Sequence, residues 1–149
     1  MIFPIDMLTN ITSVEVLLIE ANEIQQFLNV TCSEEVEEVI ERGNNLAVYI
    51  ARTGKMRADA EYHRDTLLQS EIMGLLKDAT KRDLPATTIN KLVDSACKDA
   101  NYLATWCERL NRTATHQLDW CRSLVSKAKE DRRYSTGVSG QYYDPEENF

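Results

Sequence analysis

The sequence predicts an all-α fold: two long helices form an elongated, coiled-coil-like antiparallel hairpin, and a shorter N-terminal helix packs on its open end. Over residues 96–128, mostly apolar side chains recur at alternating steps of four and three without Gly or Pro, which is typical of a long helix buried along one stripe. Residues 34–79 also lack Pro and repeat this spacing. A chain of 149 residues supports one hydrophobic core, so residues 1–133 are expected to form a single helical domain.

The N-terminal helix is predicted over residues 13–28. Before it, residues 2–8 form a short apolar lead-in whose Pro4 disfavours helix, and we expect an extended arm packed on the core. Thr12 and Glu15 have the spacing of a capping box, in which each side chain bonds to the backbone amide of the other residue. The apolar stripe of this helix comprises Val14, Leu17, Ala21, Ile24 and Leu28.

The second helix is predicted over residues 34–79, after a second capping box that begins at Thr31. Its apolar positions follow one register as far as Gly54 and a register shifted by one residue beyond it, so we expect a kink at Gly54. Gly43 and Gly54 are expected to let a neighbouring backbone come close. The first register comprises Val36, Ile40, Gly43, Ala47, Ile50 and Gly54.

The last helix is predicted over residues 87–133, just after Pro85, with a loosened turn near Lys98. If the two long helices fold back on each other at a turn near residue 83, residue i of one lies opposite about residue 165 − i of the other. Ala58 then lies opposite Cys107, and His63 opposite Tyr102. The same register sets the glutamates of residues 34–38 beside the basic residues of 127–133, which favours this arrangement.

Charge and cysteine usage exclude several functions. Residues 1–41 carry nine acids and no bases in a chain of net charge −7, so direct binding of nucleic acid is not expected. The four cysteines include no C-x-x-C pair, which favours reduced, packed thiols over metal or redox use, and no cofactor is predicted. The start of the chain has no secretory signal, and the longest apolar run, residues 46–51, is far shorter than the roughly 20 residues that span a bilayer. A cytoplasmic protein is therefore expected.

The end of the hairpin near the turn is predicted to carry an exposed apolar patch, because no further helix is expected to cover residues 65–100. Such a patch indicates a protein partner or a homo-oligomer. Four residues of the second helix are the predicted contacts, namely Leu68, Ile72, Leu75 and Leu76. Leu67, Ile89, Leu92 and Val93 extend the patch.

Residues 134–149 form a polar tail without helical periodicity, which is expected to be flexible. The tail ends in acids followed by a terminal Phe, and in this it resembles the acidic docking tip of bacterial single-stranded-DNA-binding proteins. The resemblance implies that the tail enters a basic-rimmed pocket on a replication or repair enzyme. The Pro that precedes the Phe in that family is absent here. The residues concerned are Tyr142, Tyr143, Asp144, Glu146, Glu147 and Phe149.

The run from Glu34 to Glu38 resembles one half of the magnesium site of all-α nucleotide pyrophosphohydrolases, in which helical carboxylates hold the metal. In that family a second E-x-x-D motif follows, whereas Glu61 and Asp65 have a spacing of four. This alternative is a metal-dependent enzyme whose site would comprise Glu34, Glu35, Glu38, Glu61 and Asp65. A further alternative is an acidic inhibitor that mimics nucleic acid through residues 1–41 and blocks a host defence enzyme.

Residues 108–119, which run from Glu108 to Asp119, resemble small helical proteins encoded in phage and prophage genomes. The resemblance implies the cytoplasm of a host cell as the location, and it implies no reaction. Together with the predicted apolar patch and tail, it favours a non-enzymatic accessory protein that acts through protein–protein contacts. We expect such a protein to serve DNA replication or recombination.

Overall fold

The computed structural model describes residues 10–138. It contains four helices within that range: α1 (Val14–Asn29), α2 (Val36–Arg82), α3 (Ala86–Ala96) and α4 (Lys98–Val138). The long helices α2 and α4 pack against each other over most of their length, and the shorter α1 packs on both. The predicted all-α hairpin with a shorter N-terminal helix is therefore confirmed. The expected arm of residues 2–8 lies outside the described residues.

Helix α1 begins one residue later than the predicted capping box implies. The N-cap is Ser13, whose hydroxyl accepts a hydrogen bond from the amide of Val16 at 3.4 Å. The predicted box from Thr12 is wrong, because α2 engages Thr12 instead: its amide donates to Asp59 at 3.1 Å and its hydroxyl accepts from Arg52 at 3.2 Å. The predicted stripe is buried at Leu17, Ala21, Ile24 and Leu28, whereas Val14 is exposed.

Helix α2 is continuous from Val36 to Arg82, so the chain is not unwound at Gly54, and the kink predicted there stays a prediction. Three of its buried residues, Val39, Leu46 and Thr53, lie one position before the predicted Ile40, Ala47 and Gly54. The polar residues Thr53 and Asp59 are also buried, which an apolar pattern does not count. At Gly43 and Gly54 an added Cβ would lie 3.6 Å or more from its neighbours, so neither glycine is required by a close approach. The helix starts at Val36 rather than at residue 34, because the Ser33 hydroxyl accepts from the Glu35 amide at 3.3 Å. The buried residues of this stripe at steps of seven are Val39, Leu46, Thr53 and Ala60.

The turn after α2 lies at the predicted place. Asp83 adopts the left-handed conformation, with φ 53° and ψ 43°, and ends the helix. Aspartate is among the few residues that tolerate this region. Pro85 then precedes the first turn of α3, where its missing amide proton has no intrahelical acceptor to lose.

The predicted single helix of residues 87–133 is interrupted at Cys97, next to the expected loosened turn. The Cys97 amide still bonds to the Val93 carbonyl at 3.1 Å, and the Cys97 carbonyl accepts from the Asn101 amide at 2.8 Å, so helical hydrogen bonds continue on both sides of the break. The buried seam shifts there, since Cys97 is buried and Ala96 is exposed. At its other end α4 runs to Val138, beyond the predicted end at residue 133.

The predicted register between the long helices is confirmed. Arg57 lies 4.0 Å from Glu108, the residue expected opposite it. The side-chain amide of Asn111 donates to the Ile50 carbonyl at 2.8 Å and to the Thr53 hydroxyl at 3.0 Å. The face of α2 is less well predicted, because Ala58 is exposed although Cys107 is buried. No ion pair in residues 10–138 joins residues 34–38 to residues 127–133, so the opposite charges that this register sets beside each other make no direct contact.

The hydrophobic core lies where α1 covers the hairpin. We call residues 10–63 and 103–138 the body, and residues 64–102 the tip. Every residue of the core cluster belongs to the body. Ala79 and Cys97 are buried in the tip, apart from that cluster. The boundary between body and tip lies at the level where α1 begins, and this boundary positions the candidate site.

Candidate interaction groove

Polar side chains of α2 hold the start of α1 in place. The carboxylate of Asp59, which is 3% exposed, accepts hydrogen bonds from the Thr12 amide and from Lys55. Lys55 also donates to the Asn10 carbonyl at 3.2 Å, and Nε2 of His63 lies 2.7 Å from the Thr12 carbonyl. A carbonyl oxygen only accepts, so His63 carries its proton on Nε2. The first turn of α1 is thereby fixed to α2 at residues 55–63.

The charge of Asp59 is stabilised by these contacts. Burial raises the pKa of this carboxyl, but the hydrogen bonds from Lys55 and Thr12 and the charge of Lys55 outweigh that effect and lower the pKa below its ordinary value of 3.8. Asp59 is therefore ionised at neutral pH. A buried carboxylate with this set of donors serves to anchor the chain rather than to exchange protons.

The other end of α1 is held by Arg42 and Gln117. One terminal nitrogen of Arg42 lies 3.0 Å from the Phe27 carbonyl and 2.8 Å from the Val30 carbonyl, and its guanidinium stacks 4.0 Å from the centre of the Phe27 ring. Gln117 accepts from Arg42 at 2.9 Å and donates to the Leu28 carbonyl at 2.9 Å. The bond from Gln117 gives the Leu28 carbonyl a partner that the helix end does not supply, whereas the Phe27 carbonyl also accepts from the Val30 amide at 3.2 Å. Helix α1 has no basic residue in its own last turn, and Arg42 brings a positive charge to that end.

An apolar groove opens beside the start of α1, because α1 does not extend over the tip. We call it the junction groove. Its volume is about 650 Å³, within the range of sites that bind ligands or peptide side chains. Along α2 it reaches from Ala60 to Ser70, about 15 Å at 1.5 Å per residue. It is lined by Val14 and Leu18 of α1, by Ala60, His63, Thr66, Leu67 and Ser70 of α2, and by Asp99, Ala100, Tyr102 and Leu103 of α4.

Three of the polar residues that line the junction groove use their side chains in hydrogen bonds within the protein. The Thr66 hydroxyl donates to the Tyr62 carbonyl at 2.9 Å, and the Ser70 hydroxyl donates to the Leu67 carbonyl at 3.0 Å. Both hydroxyls are thus engaged by their own helix, and His63 is engaged by Thr12. Two polar groups remain at the rim, the Asp99 carboxylate and the phenol of Tyr102, whose side chain is 66% exposed.

The predicted contacts of the tip lie close to this groove but mostly outside it. Leu68, Ile72 and Leu75 are half-buried, while Leu76 remains exposed. Leu67, from the same predicted patch, lines the groove. The sequence does show the signal for the rest of the site: Val14 and Leu18 are spaced four apart beside the buried Leu17, so α1 has a second apolar edge.

The predicted carboxylates are not brought together. Glu38 and Glu61 lie on the same continuous helix, about 35 Å apart at 1.5 Å per residue. Glu34 and Glu35 precede that helix, and Asp65 pairs with Arg64 at 3.0 Å. Within residues 10–138 no group of three or more potential ligands could hold a metal ion. The predicted tail contacts, residues 142–149, lie outside the described part of the chain.

Two buried thiols of the body, Cys107 and Cys121, have raised pKa values. Burial raises the pKa of Cys107 to about 11. Burial also raises the pKa of Cys121, and the nearby Cys32 adds to the effect. Neither thiol is therefore a strong nucleophile at neutral pH, which fits a role in packing.

Comparisons with known proteins leave the geometry as the basis for function. No protein-family model matches the chain, and no match is found among curated proteins or solved structures. In residues 10–138 no helix has both the length and the apolar character needed to cross a bilayer.

Proposed function

We propose that the protein is a non-enzymatic helical interaction protein that binds a protein partner through the junction groove. The observation that supports this most directly is the apolar groove of about 650 Å³ at the boundary of body and tip, which residues 10–138 leave uncovered. An exposed apolar concavity is unfavourable in water unless a ligand or a partner covers it. The groove holds no arrangement of nucleophile and base, so binding is the function that its chemistry favours.

Self-association is part of this proposal. In the tip, α2 exposes the apolar side chains of Met73 and Leu76. A second copy that covers this surface would remove apolar area from water at about 25 cal/mol per Å². Light scattering on the full chain is expected to give a mass above that of one copy, and replacement of Leu76 by Gln is expected to lower it.

The resemblance of residues 108–119 to small phage and prophage proteins supports a biological setting. In that setting the protein is an accessory factor in the cytoplasm of a host cell, and its partner belongs to DNA replication or recombination. The acidic first third of the chain would steer it toward a basic partner.

A matched pair of variants tests the proposal. Leu18 in the groove and Leu92 on α3 are 43% and 42% exposed, so changing either to Gln removes similar apolar surface. A partner captured from extracts of the native cells is to be produced as a pure protein and titrated by calorimetry. Leu18→Gln is expected to weaken its binding, whereas Leu92→Gln is expected to leave it unchanged.

Two results would contradict the proposed function. One is equal binding of the partner by wild type and Leu18→Gln. The other is magnesium-dependent hydrolysis of nucleotides that is lost in Glu38→Gln and Glu61→Gln, because an assembled carboxylate site would then be the functional centre.

A further inference from the structure

The furrow between α2 and α4 holds α1, which shows that this furrow accepts a helix. Helix α1 lies in it with Leu17, Ala21 and Ile24 buried. These residues follow steps of four and three, the spacing of one helical face. In the body, the furrow between the two long helices is therefore wide enough to seat a helix.

The same two walls continue past the start of α1. On α2 the line of Ala60 in the body passes to Leu67 in the tip, and on α4 the line of Leu103 passes to Ala100. No described residue of α1 lies over Leu67 or Ala100, because the helix begins at Val14. Among the described residues 10–138, the junction groove is thus an unoccupied extension of the site that α1 occupies.

The polar chemistry of the walls distinguishes a helix from an extended peptide. An extended peptide leaves its backbone amides and carbonyls to be satisfied by the site, whereas a helix satisfies them internally. The hydroxyls of Thr66 and Ser70 are bonded to carbonyls of α2, and His63 is bonded to Thr12. These walls suit an occupant that makes only apolar contacts with them.

One carboxylate lies at the rim of the groove, that of Asp99. No ion pair within residues 10–138 includes Asp99. A basic side chain beside the apolar stripe of the occupant would pair with this carboxylate, and net charge −7 would favour its approach.

We propose that the junction groove binds an amphipathic helix of a protein partner, with an apolar stripe that enters the groove and Lys or Arg residues that face Asp99. About two to three helical turns fill the groove length of about 15 Å, given a pitch of 5.4 Å. This inference rests on the proposed function, because it names the segment of the partner that is bound.

The probe is a labelled 12-residue helix-forming peptide, with Leu at the stripe positions and Lys elsewhere. Three control peptides accompany it: one with Glu in place of Lys, one with the Leu positions scrambled, and one interrupted by Pro. Fluorescence anisotropy on the full chain is expected to show affinity for the Leu/Lys helix about tenfold above each control. Chemical-shift changes are expected at Leu67, Ala100 and Leu103.

Variants of the protein localise the binding. Leu18→Gln is expected to reduce affinity for the Leu/Lys helix about tenfold, and Leu92→Gln to leave it unchanged. Asp99→Asn is expected to reduce it a few-fold at low salt, with a smaller effect at high salt because the interaction is screened. Circular dichroism spectra that match wild type verify that each variant folds.

Several outcomes would overturn this inference. Equal binding of the Pro-interrupted peptide would indicate an extended occupant. Equal losses in Leu18→Gln and Leu92→Gln would indicate general adsorption of a basic peptide. A dimer that Leu18→Gln dissociates would identify the occupant as a second copy. If the peptide does not bind but capture of the partner depends on Leu18, the helical occupant is wrong and the proposed function stands. If capture is independent of Leu18, both are wrong.

Discussion

The body and the tip are built from the same two long helices, yet they bury very different amounts of apolar surface. The body contains the whole core cluster, in which Leu17 of α1, Leu46 of α2 and Leu110 of α4 are almost completely buried. The tip has Leu, Ile and Val at a similar density, but its buried residues are Ala79 and Cys97. Two helices cover only the stripe along which they touch, and a third is needed to enclose the furrow between them. Apolar content alone therefore does not produce a core.

The two regions also differ in how their short helices are held. Helix α1 is fixed at its start by Asp59 and at its end by Arg42. Helix α3 has no buried residue and lies between the left-handed turn at Asp83 and the break at Cys97. The polar anchor at Asp59 fixes where α1 begins, and the junction groove opens beside that point.

The largest expected difference concerns the core. Leu17→Ala should reduce the free energy of unfolding by about 2–5 kcal/mol, since it removes a fully buried side chain and leaves a cavity. Leu76→Ala in the tip should cost less than about 1 kcal/mol, because that side chain is already exposed. Urea denaturation of both variants measures the difference. Equal losses would mean that the tip is as well packed as the body.

The anchor at Asp59 should have the next largest effect. Asp59→Asn removes a charged acceptor from Lys55 and should cost about 1–3 kcal/mol at pH 7. The folded pKa lies below the ordinary value of 3.8, so this stabilisation is complete at neutral pH and is lost as the pH falls below about 4, through the lowered pKa.

Urea denaturation between pH 7 and pH 3 tests this sign. Wild type should lose stability in the acid part of that range, and Asp59→Asn should lose less. Asp78→Asn, a change at an exposed carboxylate of the tip, is the matched control and should behave as wild type. A variant with the pH dependence of wild type would show that Asp59 is not a principal source of the acid sensitivity.

Arg42→Met should have a smaller effect, about 1–2 kcal/mol, because water can reach the half-buried carbonyls that Arg42 leaves. The loss should fall on the last turn of α1, where amide hydrogen exchange is expected to accelerate most. Arg122→Met is the control, since Arg122 forms an exposed pair with Asp119 that contributes little. Uniform acceleration across all helices would contradict a local anchor.

The smallest expected effects come from two glycines. An added Cβ at Gly54 would lie 3.9 Å from Asn111, and at Gly74 it would meet nothing within 4 Å. Alanine at either site should therefore stabilise the helix by about 0.5–1 kcal/mol. In the body, Gly54→Ala should raise the midpoint of urea unfolding. In the tip, Gly74→Ala should slow only local hydrogen exchange. Destabilisation by Gly54→Ala would indicate a bend at that position.

Part of the candidate site could be predicted from the sequence. The predicted apolar patch included Leu67, and the predicted register placed His63 opposite Tyr102, both of which line the groove. Val14 was predicted to be buried in the stripe of α1, and Leu18 was not singled out. The exposure of both residues depends on where α1 begins against the hairpin. The polar anchors were missed as well, since Asp59 breaks the apolar pattern of α2 and its partner Thr12 is 47 residues away along the chain.

The sequence by itself determined the helices, the turn near Asp83 and the level at which Arg57 meets Glu108. These features follow from local periodicity and from the position of the turn, which act over a few residues. Only the tertiary structure decided which face of α2 is buried, how far α1 extends and where the groove opens. Those outcomes depend on contacts such as Thr12 with Asp59 and Arg42 with Gln117, whose partners are remote in sequence and leave no periodic signal.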